Sequence, residues 1–388
     1  MKPNIIHSIV VCLAAFALPF IVACSSQEES LSANDTEAAL FLNIATLEQA
    51  RSGEVTKLPD NEKMHSVRVV VLHENGTVEH NQHYSLEGAQ AQKDIIILKV
   101  KPKEKKKIFL FANEESVSTV EGVPGGNQTL TEFFNNYTKN TPNFAKAVND
   151  LYFTPDYSDN KSIPMSSMYE IDFTEGKVEK TFYVVRVATK FTVNFMNWRS
   201  EEVTVEKFTL ASYADKNFLM AHVKDSKRNE DLFKGKSWIE WLKEVSDASS
   251  EGDSYEKTED AGWLKDYELP THETKEYTHN ESIIVGEPTV NIDYPDNNKP
   301  GVAKSVPVFY LPESQNLIEA GATKGEQEYT LTVKMEGRDE PFVETLPNLK
   351  ALFRNTHVIV NITLLNSMEI VVDVIPYSEV TLDPEFGL

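Results

Sequence analysis

The sequence predicts an all-β protein made of antiparallel β-sandwich domains with short helical insertions. Runs rich in Val, Ile, Thr, Phe and Tyr recur along the chain, and polar turn segments separate them. These runs do not alternate regularly with helical segments, which disfavours a parallel α/β sheet. Because the chain has 388 residues and one domain usually has roughly 100–200, we expect two domains.

The first predicted strand covers residues 40–47. Leu40, Leu42 and Ile44 occupy alternate positions there, which is the period of a strand with one buried face. A short polar run with small residues follows around Arg51, and it predicts an exposed hinge that a protease can cut. The later predicted strands cover residues 66–73, 94–100, 107–113, 180–195, 203–213, 305–311, 328–335, 356–365 and 369–375.

Two helical insertions interrupt the predicted strands. Residues 130–153 follow the pattern Thr129-x-x-Glu132, which is typical of a capping box at a helix start. Residues 229–248 carry tryptophan and aliphatic side chains near helical spacing, and a polar, acidic stretch continues to residue 260. We expect the aromatic stripe to pack in a core or between domains, with a ligand shelf as the alternative.

Residues 1–23 are predicted to be a lipoprotein signal peptide. A basic start and an apolar run end in the sequence Ile-Val-Ala-Cys, which resembles the lipobox of bacterial lipoproteins. Cys24 is therefore the predicted lipidation site, with palmitate among its lipids; a plain secretory signal or an anchor helix is the alternative. The other cysteine, Cys12, lies in the signal peptide, so the mature chain has no disulfide framework.

Charge and motifs disfavour several classes of function. The net charge of −22 repels phosphate, which argues against nucleic-acid binding. The chain lacks a phosphate-binding Gly-Lys-Ser/Thr loop, a Gly-x-Ser-x-Gly elbow and a calcium loop. We expect the pair His80 and His83 to be a surface pair, and we predict no catalytic residue, metal or cofactor. The lysine-rich run 99–107 is expected to be a solvated hairpin, with an anion- or glycan-binding patch as the alternative.

The end of the chain predicts an amphipathic strand over residues 378–388. Val380, Leu382, Phe386 and Leu388 fall on one face, and acidic or hydroxyl side chains fall on the other. Pro384 removes one ladder donor, which an edge strand or an added strand tolerates better than a central strand. The alternative is that this segment is the last strand of its own sheet.

Four motifs, in this order behind the lipobox, resemble the FimA-like fimbrillins, the subunits of type V pili. Residues 161–167 are similar to the Ile-Pro-Met turn of that family, and residues 183–195 to its Val-x-Arg-x-x-Ala-Lys strand. Residues 352–364 resemble its Arg-Asn-Thr strand, and residues 374–387 its terminal Pro-Tyr/Trp…Phe-Gly segment.

The resemblance implies two transthyretin-like β-sandwich domains and a lipoprotein precursor. It implies that an arginine-specific protease cleaves between Arg51 and Ser52 and so removes the first strand. The expected organisation is a signal peptide at 1–23, a lipidated spacer with the removable strand at 24–51, an N-terminal sandwich at 52–181 and a C-terminal sandwich at 182–388. The C-terminal segment would then be a donor strand for another subunit.

The resemblance further implies a fimbrial subunit, exported through the periplasm and held at the outer membrane by its lipid. Its partners would be copies of itself or tip and anchor subunits, and its role adhesion to surfaces, other bacteria or a host. A stalk, anchor or tip position stays open. The first alternative is a monomeric outer-membrane lipoprotein that binds glycans through exposed aromatic side chains. A secreted hydrolase is a second alternative, which would need an acid/base pair.

Overall fold

A computed structural model describes residues 38–46, 58–123, 126–158, 160–174, 176–221, 274–293, 295–314, 329–346, 349, 352–365 and 370–375. The predicted all-β fold is confirmed. The strands are β1 (Ala38–Thr46), β2 (Met64–Leu72), β3 (Val78–Gln90), β4 (Gln92–Val100), β5 (Lys105–Ala112), β6 (Val120–Glu121), β7 (Tyr152–Phe153), β8 (Met165–Asp172), β9 (Lys177–Arg186), β10 (Thr189–Asn197), β11 (Val203–Ala214), β12 (Asn217–Phe218), β13 (Thr274–His279), β14 (Ile283–Val285), β15 (Gly301–Val302), β16 (Val308–Leu311), β17 (Thr330–Met335), β18 (Phe342–Thr345), β19 (Thr356–Leu364) and β20 (Ile370–Ile375).

The helices of the described residues are short. They are α1 (Leu130–Asn135), α2 (Phe144–Asn149) and the 3₁₀ turns Asp60–Glu62, Glu114–Ser116 and Pro295–Asn297. The capping box predicted before α1 is confirmed, because the Thr129 hydroxyl accepts from the Glu132 backbone and the Glu132 carboxylate accepts from the Thr129 backbone. Among the described residues, no helix is long and apolar enough to span a membrane.

The first half of the chain forms a sheet in the order β3-β2-β5-β8-β9-β1-β4. Strands β8 and β9 are paired over only two residue pairs, so the sheet folds there into two layers. Apolar side chains of β1, β4 and β9 meet those of β2, β5 and β8 in one core. Helices α1 and α2 cover the other face of β2 and β5, where Phe109, Phe111, Phe134 and Phe144 form an aromatic cluster.

The second half contains two sheets with one core between them. One sheet has the order β15-β10-β19-β20, with β16 also paired to β10. The other has the order β13-β11-β17-β18, with β14 also paired to β11. The single strand predicted over 180–195 is wrong, because Val187 and Ala188 separate β9 from β10 and the chain passes there from one half to the other.

The two halves repeat the same topology, although the sequence shows no repeat. In the first half, β1 is antiparallel to β4 and parallel to β9. In the second half, β10 is antiparallel to β15 and β16 and parallel to β19. The remaining strands also correspond, with β3-β2-β5-β8 matching β13/β14-β11-β17-β18. The domain boundary at 181/182 stays a prediction, and it lies inside β9.

Lys106 is buried in a polar cluster beneath the lysine-rich hairpin between β4 and β5. Its ammonium lies 2.5 Å from Glu79 Oε2, pairs with Glu104 and lies 3.4 Å from His73 Nδ1. Lys106 is fully buried, whereas Lys105 is exposed. The expected solvated hairpin is therefore correct for its outer lysines and wrong for Lys106, because burial with two carboxylates holds this side chain inside.

The carboxyl of Glu104 ties the hairpin to this cluster. Burial alone would raise the pKa of Glu104, but hydrogen bonds from Lys106, His73 and Lys101 outweigh burial and lower the pKa to about 2. A carboxyl group whose pKa is lower in the folded than in the unfolded chain stabilises the fold when it is ionised. For Glu104 this stabilisation is complete at a pH above its ordinary pKa of 4.5. This contribution is therefore present at neutral pH, and it is lost as the pH falls from about 4.5 to about 2.

We expect Lys106→Ala to lower the free energy of unfolding by about 3–5 kcal/mol, because the substitution leaves the carboxylates of Glu79 and Glu104 without their shared cation. Urea denaturation followed by circular dichroism measures this change. The matched control is Lys105→Ala, which we expect to change the free energy by less than about 0.5 kcal/mol. Equal effects of the two substitutions would contradict the buried role of Lys106.

Candidate functional site

Strand β1 occupies an inner position of the first-half sheet, between β4 and β9. It is antiparallel to β4 from Ala38 opposite Val100 to Ala45 opposite Gln92. It is parallel to β9, with Thr46 opposite Val184 at its end. An inner strand satisfies backbone groups on both of its edges. Among the described strands, β1 is the one that pairs with these edges of β4 and β9.

The inward face of β1 is part of the core. Leu40, Leu42 and Ile44 are each 0% exposed and belong to the cluster that β2, β4, β5, β8 and β9 build. Burial of three such side chains contributes on the order of 5–9 kcal/mol to the folded state. The alternation read from the sequence is confirmed as the buried face of this strand.

The outward face of β1 is uncharged and half-buried. Lys177 of β9 places its ammonium 4.5 Å from the centre of the Phe41 ring. The side-chain oxygen of Asn43 accepts from the backbone N–H of Ile95, where an irregularity shifts the register with β4. At the end of β1, Thr46 donates its N–H to the carbonyl of Ala91 at 2.8 Å.

Removal of β1 would leave a groove rather than a smaller closed sheet. The inner edges of β4 and β9 would each expose a row of backbone donors and acceptors, with apolar core side chains between them. Such a groove is a template for β-strand addition, in which main-chain hydrogen bonds give affinity and alternate side chains fill pockets. In the second half, the strand in the position of β1 is β10. Two residues join it to β9, and β11 follows it in the chain.

The arginines and lysine of the sequence motifs lie where the two halves of the chain meet. Glu62 lies in the 3₁₀ turn Asp60–Glu62, which precedes β2. Its carboxylate accepts a hydrogen bond from Lys190 of β10 at 2.6 Å and another from the Tyr310 hydroxyl of β16 at 2.7 Å. Nη1 of Arg186 lies 3.7 Å from Oε2 of Glu62. Burial alone would raise the pKa of Glu62, but Arg186 and Lys190 hold it below its ordinary value.

A second buried ion pair joins the halves through Arg354. Its Nη2 lies 2.5 Å from the Glu313 carboxylate, and its Nη1 donates to the carbonyl of Leu219 and to the hydroxyl of Ser166 in β8. Arg354 and Glu313 are both almost fully buried. These two pairs fix the second half against the first by directed hydrogen bonds.

Backbone hydrogen bonds complete this junction. The Ile-Pro-Met turn contributes the carbonyl of Pro164, which accepts from the N–H of Val187. Asn355 donates its N–H to the carbonyl of Ala188, and its side-chain oxygen accepts from the N–H of Arg186. Three of the four motifs that carry the fimbrillin resemblance thus meet at one place, and their role there is to hold the two halves together.

Several predicted site residues lie outside the described residues. They are the lipidation site Cys24, the cleavage residues Arg51 and Ser52, and the donor-strand residues Val380, Leu382, Phe386 and Leu388. The Trp-rich segment 229–260 also lies outside them. Their roles stay predictions.

The two histidines that sequence inspection paired lie in different polar groups. His80 Nε2 lies 2.6 Å from the carbonyl oxygen of Lys99, and His83 Nε2 lies 2.8 Å from Glu115. Two groups of His and Glu side chains have the spacing of metal ligands. The group of His73, Glu79 and Glu104 encloses the Lys106 ammonium, so a protein cation already satisfies those ligand atoms.

No protein-family model matches the sequence, and neither does any curated protein. Similar solved structures include the tip fimbrial protein Mfa3 of Porphyromonas gingivalis with a C-terminal truncation, which has a TM-score of 0.48, is 13% identical and aligns over 88% of this chain and 100% of that chain. A candidate cell adhesion protein of Parabacteroides distasonis has a TM-score of 0.49, 14% identity and coverage of 89% and 99%. The fimbrial anchor protein Mfa2 of Porphyromonas gingivalis has a TM-score of 0.37, 11% identity and coverage of 88% and 97%. These solved structures are of a tip fimbrial protein, a cell adhesion protein and a fimbrial anchor protein.

We expect Leu42→Ala to lower the free energy of unfolding of the uncleaved chain by about 2–5 kcal/mol, because it removes a fully buried side chain and leaves a cavity in the core beneath β1. Denaturant unfolding of the uncleaved chain measures this. The matched control is Ala45→Ser on the outward face, with an expected change below about 1 kcal/mol. A Leu42→Ala protein as stable as the control would contradict the core role of β1.

We expect Glu62→Ala to loosen the junction between the halves, because Lys190 and Tyr310 lose their shared acceptor and Arg186 loses its nearest carboxylate. Small-angle X-ray scattering should show a larger radius of gyration, and the free energy of unfolding should fall by about 3 kcal/mol. Asp60→Ala in the same turn is the control, because the Asp60 carboxylate is exposed and pairs with Lys63. Identical scattering curves for the two variants would argue against the junction role.

Proposed function

We propose that this chain is the precursor of a fimbrial subunit that polymerises by donor-strand exchange after proteolytic removal of β1. The proposal rests on one observation: an uncharged strand at the start of the described chain fills an inner position of a sheet and contributes core side chains. Residues 47–57 join it to the rest, and Arg51 lies within that segment. The resemblance of the sequence to the fimbrillins supports the same function.

The burial of the described arginines supports cleavage by an arginine-specific protease outside the described residues. Arg68, Arg186 and Arg354 are each 6% exposed or less and are hydrogen-bonded within the fold. Arg199 and Arg338, the other arginines of the described residues, are half-buried. A folded substrate therefore protects its described arginines. Arg51 and Arg228 lie outside the described residues, and Arg51 is the one that lies in the segment after β1.

The C-terminal segment 378–388 fits the groove in its apolar pattern. Val380, Leu382, Phe386 and Leu388 alternate as Leu40, Leu42 and Ile44 do in β1. Burial of four such side chains is worth on the order of 6–12 kcal/mol, and each ladder hydrogen bond adds roughly 0.5–1.5 kcal/mol. The costs of ordering and association subtract from this sum, yet tight binding remains.

Charge supports the same occupant. The strands on either side of β1 carry four lysines (Lys93, Lys99, Lys177 and Lys180) against two acidic residues, although the whole chain has a net charge of −22. The segment 378–388 carries three acidic side chains and no basic residue. An acidic strand between two lysine-bearing strands gains electrostatic complementarity that the uncharged β1 does not provide.

The precursor form prevents early assembly. While β1 is tethered through residues 47–57, it competes for the groove at a high effective concentration. Lipidation at Cys24 would hold this form at the outer membrane, and cleavage after Arg51 would release it from both the lipid and β1. Copies of this chain, or separate tip and anchor subunits, would then be its partners in a fimbrium that serves adhesion, with no enzymatic step.

The glycan-binding alternative has less support. It predicts exposed aromatic side chains on a sandwich face, and among the exposed large apolar residues of the described chain one is aromatic, Trp198 at 36% exposure. The lysine-rich hairpin, its other candidate feature, has ion pairs between Lys101 and Glu104 and between Lys107 and Glu170.

The proposal predicts protease-dependent polymerisation of the full chain. We expect purified precursor treated with an arginine-specific protease to be cut between Arg51 and Ser52 and to form ladders that resist SDS without heating. Arg51→Lys should keep the charge but abolish cleavage and ladders. Deletion of residues 378–388 should leave cleavage intact and abolish ladders. Clean cleavage of the parent chain that leaves a monomer would overturn the proposed function.

A further inference from the structure

We propose that the side chains of Lys106 and Glu79 become joined by an amide, an isopeptide cross-link between β5 and β3. The polar cluster beneath the lysine-rich hairpin holds an amine, a carboxyl group and the groups that orient them. The two strands are not neighbours, because β2 lies between them in the sheet. The cross-link concerns this one cluster of the first half and does not depend on the proposed function.

The nitrogen of Lys106 lies against the carboxylate of Glu79. Nζ is 2.5 Å from Oε2, so the carboxyl carbon is the next atom beyond the contact. Lys106 is 0% exposed and Glu79 is 8% exposed, which keeps bulk water away from both groups. Well-oriented groups held in one molecule reach effective concentrations of about 10⁵–10⁸ M. Contact and the exclusion of water therefore both favour condensation of this amine with this carboxyl group.

The second oxygen of Glu79 is polarised by the main chain of the hairpin. The backbone N–H of Lys101 donates to Oε1 of Glu79 at 2.6 Å. Negative charge develops on a carboxyl oxygen when a nitrogen adds to its carbon, and a fixed backbone donor stabilises that charge as in an oxyanion hole. The hairpin thus supplies the donor that the addition needs.

A second carboxylate, that of Glu104, orients the amine. It accepts a hydrogen bond from Lys106, accepts another from Lys101 Nζ at 3.0 Å and lies 2.6 Å from His73 Nδ1. Burial would raise the pKa of this carboxyl, but hydrogen bonds from Lys106, His73 and Lys101 lower the pKa to about 2. Glu104 therefore stays an anion, and an anion beside Nζ stabilises the positive charge that the nitrogen carries after it adds to the carboxyl carbon.

The reaction converts the ion pair into an amide and one molecule of water. A proton passes from the Lys106 ammonium to Glu79, which gives an amine and a carboxylic acid. Nζ then forms a bond to Cδ of Glu79, and the bond from Cδ to one carboxyl oxygen breaks. That oxygen leaves as water with two of the three ammonium protons, and the third proton stays on the amide nitrogen. The ion pair described above is the state before this bond forms.

The surroundings of the cluster favour the uncharged product. Lys106 lies opposite Ile171 of β8, and Ile171 and Ile108 belong to the core that β1 completes. Two charges at the end of such a core carry a desolvation cost that a neutral amide avoids. The bond joins β3 to β5 across β2, so the three strands stay linked when their ladder hydrogen bonds break.

Mass spectrometry of the purified, denatured full chain tests the proposal. We expect the parent chain to be lighter by one water, about 18 Da, than its sequence and processing predict, and Lys106→Arg to lack this loss. Digestion and tandem mass spectrometry should recover one branched peptide that contains both Glu79 and Lys106. The matched control is Lys105→Arg at the exposed neighbouring position, which should keep the loss of water.

Glu79→Gln separates acyl transfer at this carbon from any other dehydration. The leaving group of the variant is ammonia, so we expect a loss of about 17 Da in place of the loss of water. Recovery of Glu79 and Lys106 in separate, unmodified peptides of the folded parent chain would overturn the proposal, and so would a loss of water located at other residues. The peptide map of the parent chain decides this even if a variant does not fold.

Discussion

Strand β1 lies between β9 and β4, and this double pairing is the contact on which the first half of the protein depends. An inner strand that is fully buried on one face cannot be lost without exposing two sheet edges and a core. Yet β1 is also the strand at the start of the described chain, and one connection, residues 47–57, joins it to the fold. The protein therefore holds an essential part of its core by a segment that one cut can separate.

The junction between the halves has the opposite character. Glu62, Arg354 and Glu313 are almost fully buried. Their partners come from distant parts of the chain: Glu62 pairs with Lys190 and Tyr310, and Glu313 pairs with Arg354. Breaking one partner of such a pair leaves a buried charge without compensation, so the junction resists change. Under the proposed function, halves that keep a fixed relation would transmit contacts along a filament while one strand is exchanged.

Much of the strand content could be predicted, because alternation and β-branched residues mark strands such as β2, β17 and β19 directly. The buried face of β1 could be predicted for the same reason. The parallel pairing of β1 with β9 could not, since period alone carries no information about which strands are neighbours. The break at Val187 and Ala188 was missed because both are apolar. The burial of Lys106 was missed because one of its two carboxylate partners, Glu79, lies 27 residues away in the sequence.

The composition of β1 explains how it can be both stable and replaceable. Its first two residues, Ala38 and Ala39, bury little apolar area, whereas Leu40, Leu42 and Ile44 carry the larger contribution. Under the proposed function, the end of β1 at Ala38 would be the end at which pairing opens first. An incoming strand that paired there before β1 had left would replace β1 gradually, and the core would not be fully exposed to water at any stage. The same route would moderate the repulsion between two acidic chains, because the acidic segment 378–388 would meet the lysines beside the groove at its first contact.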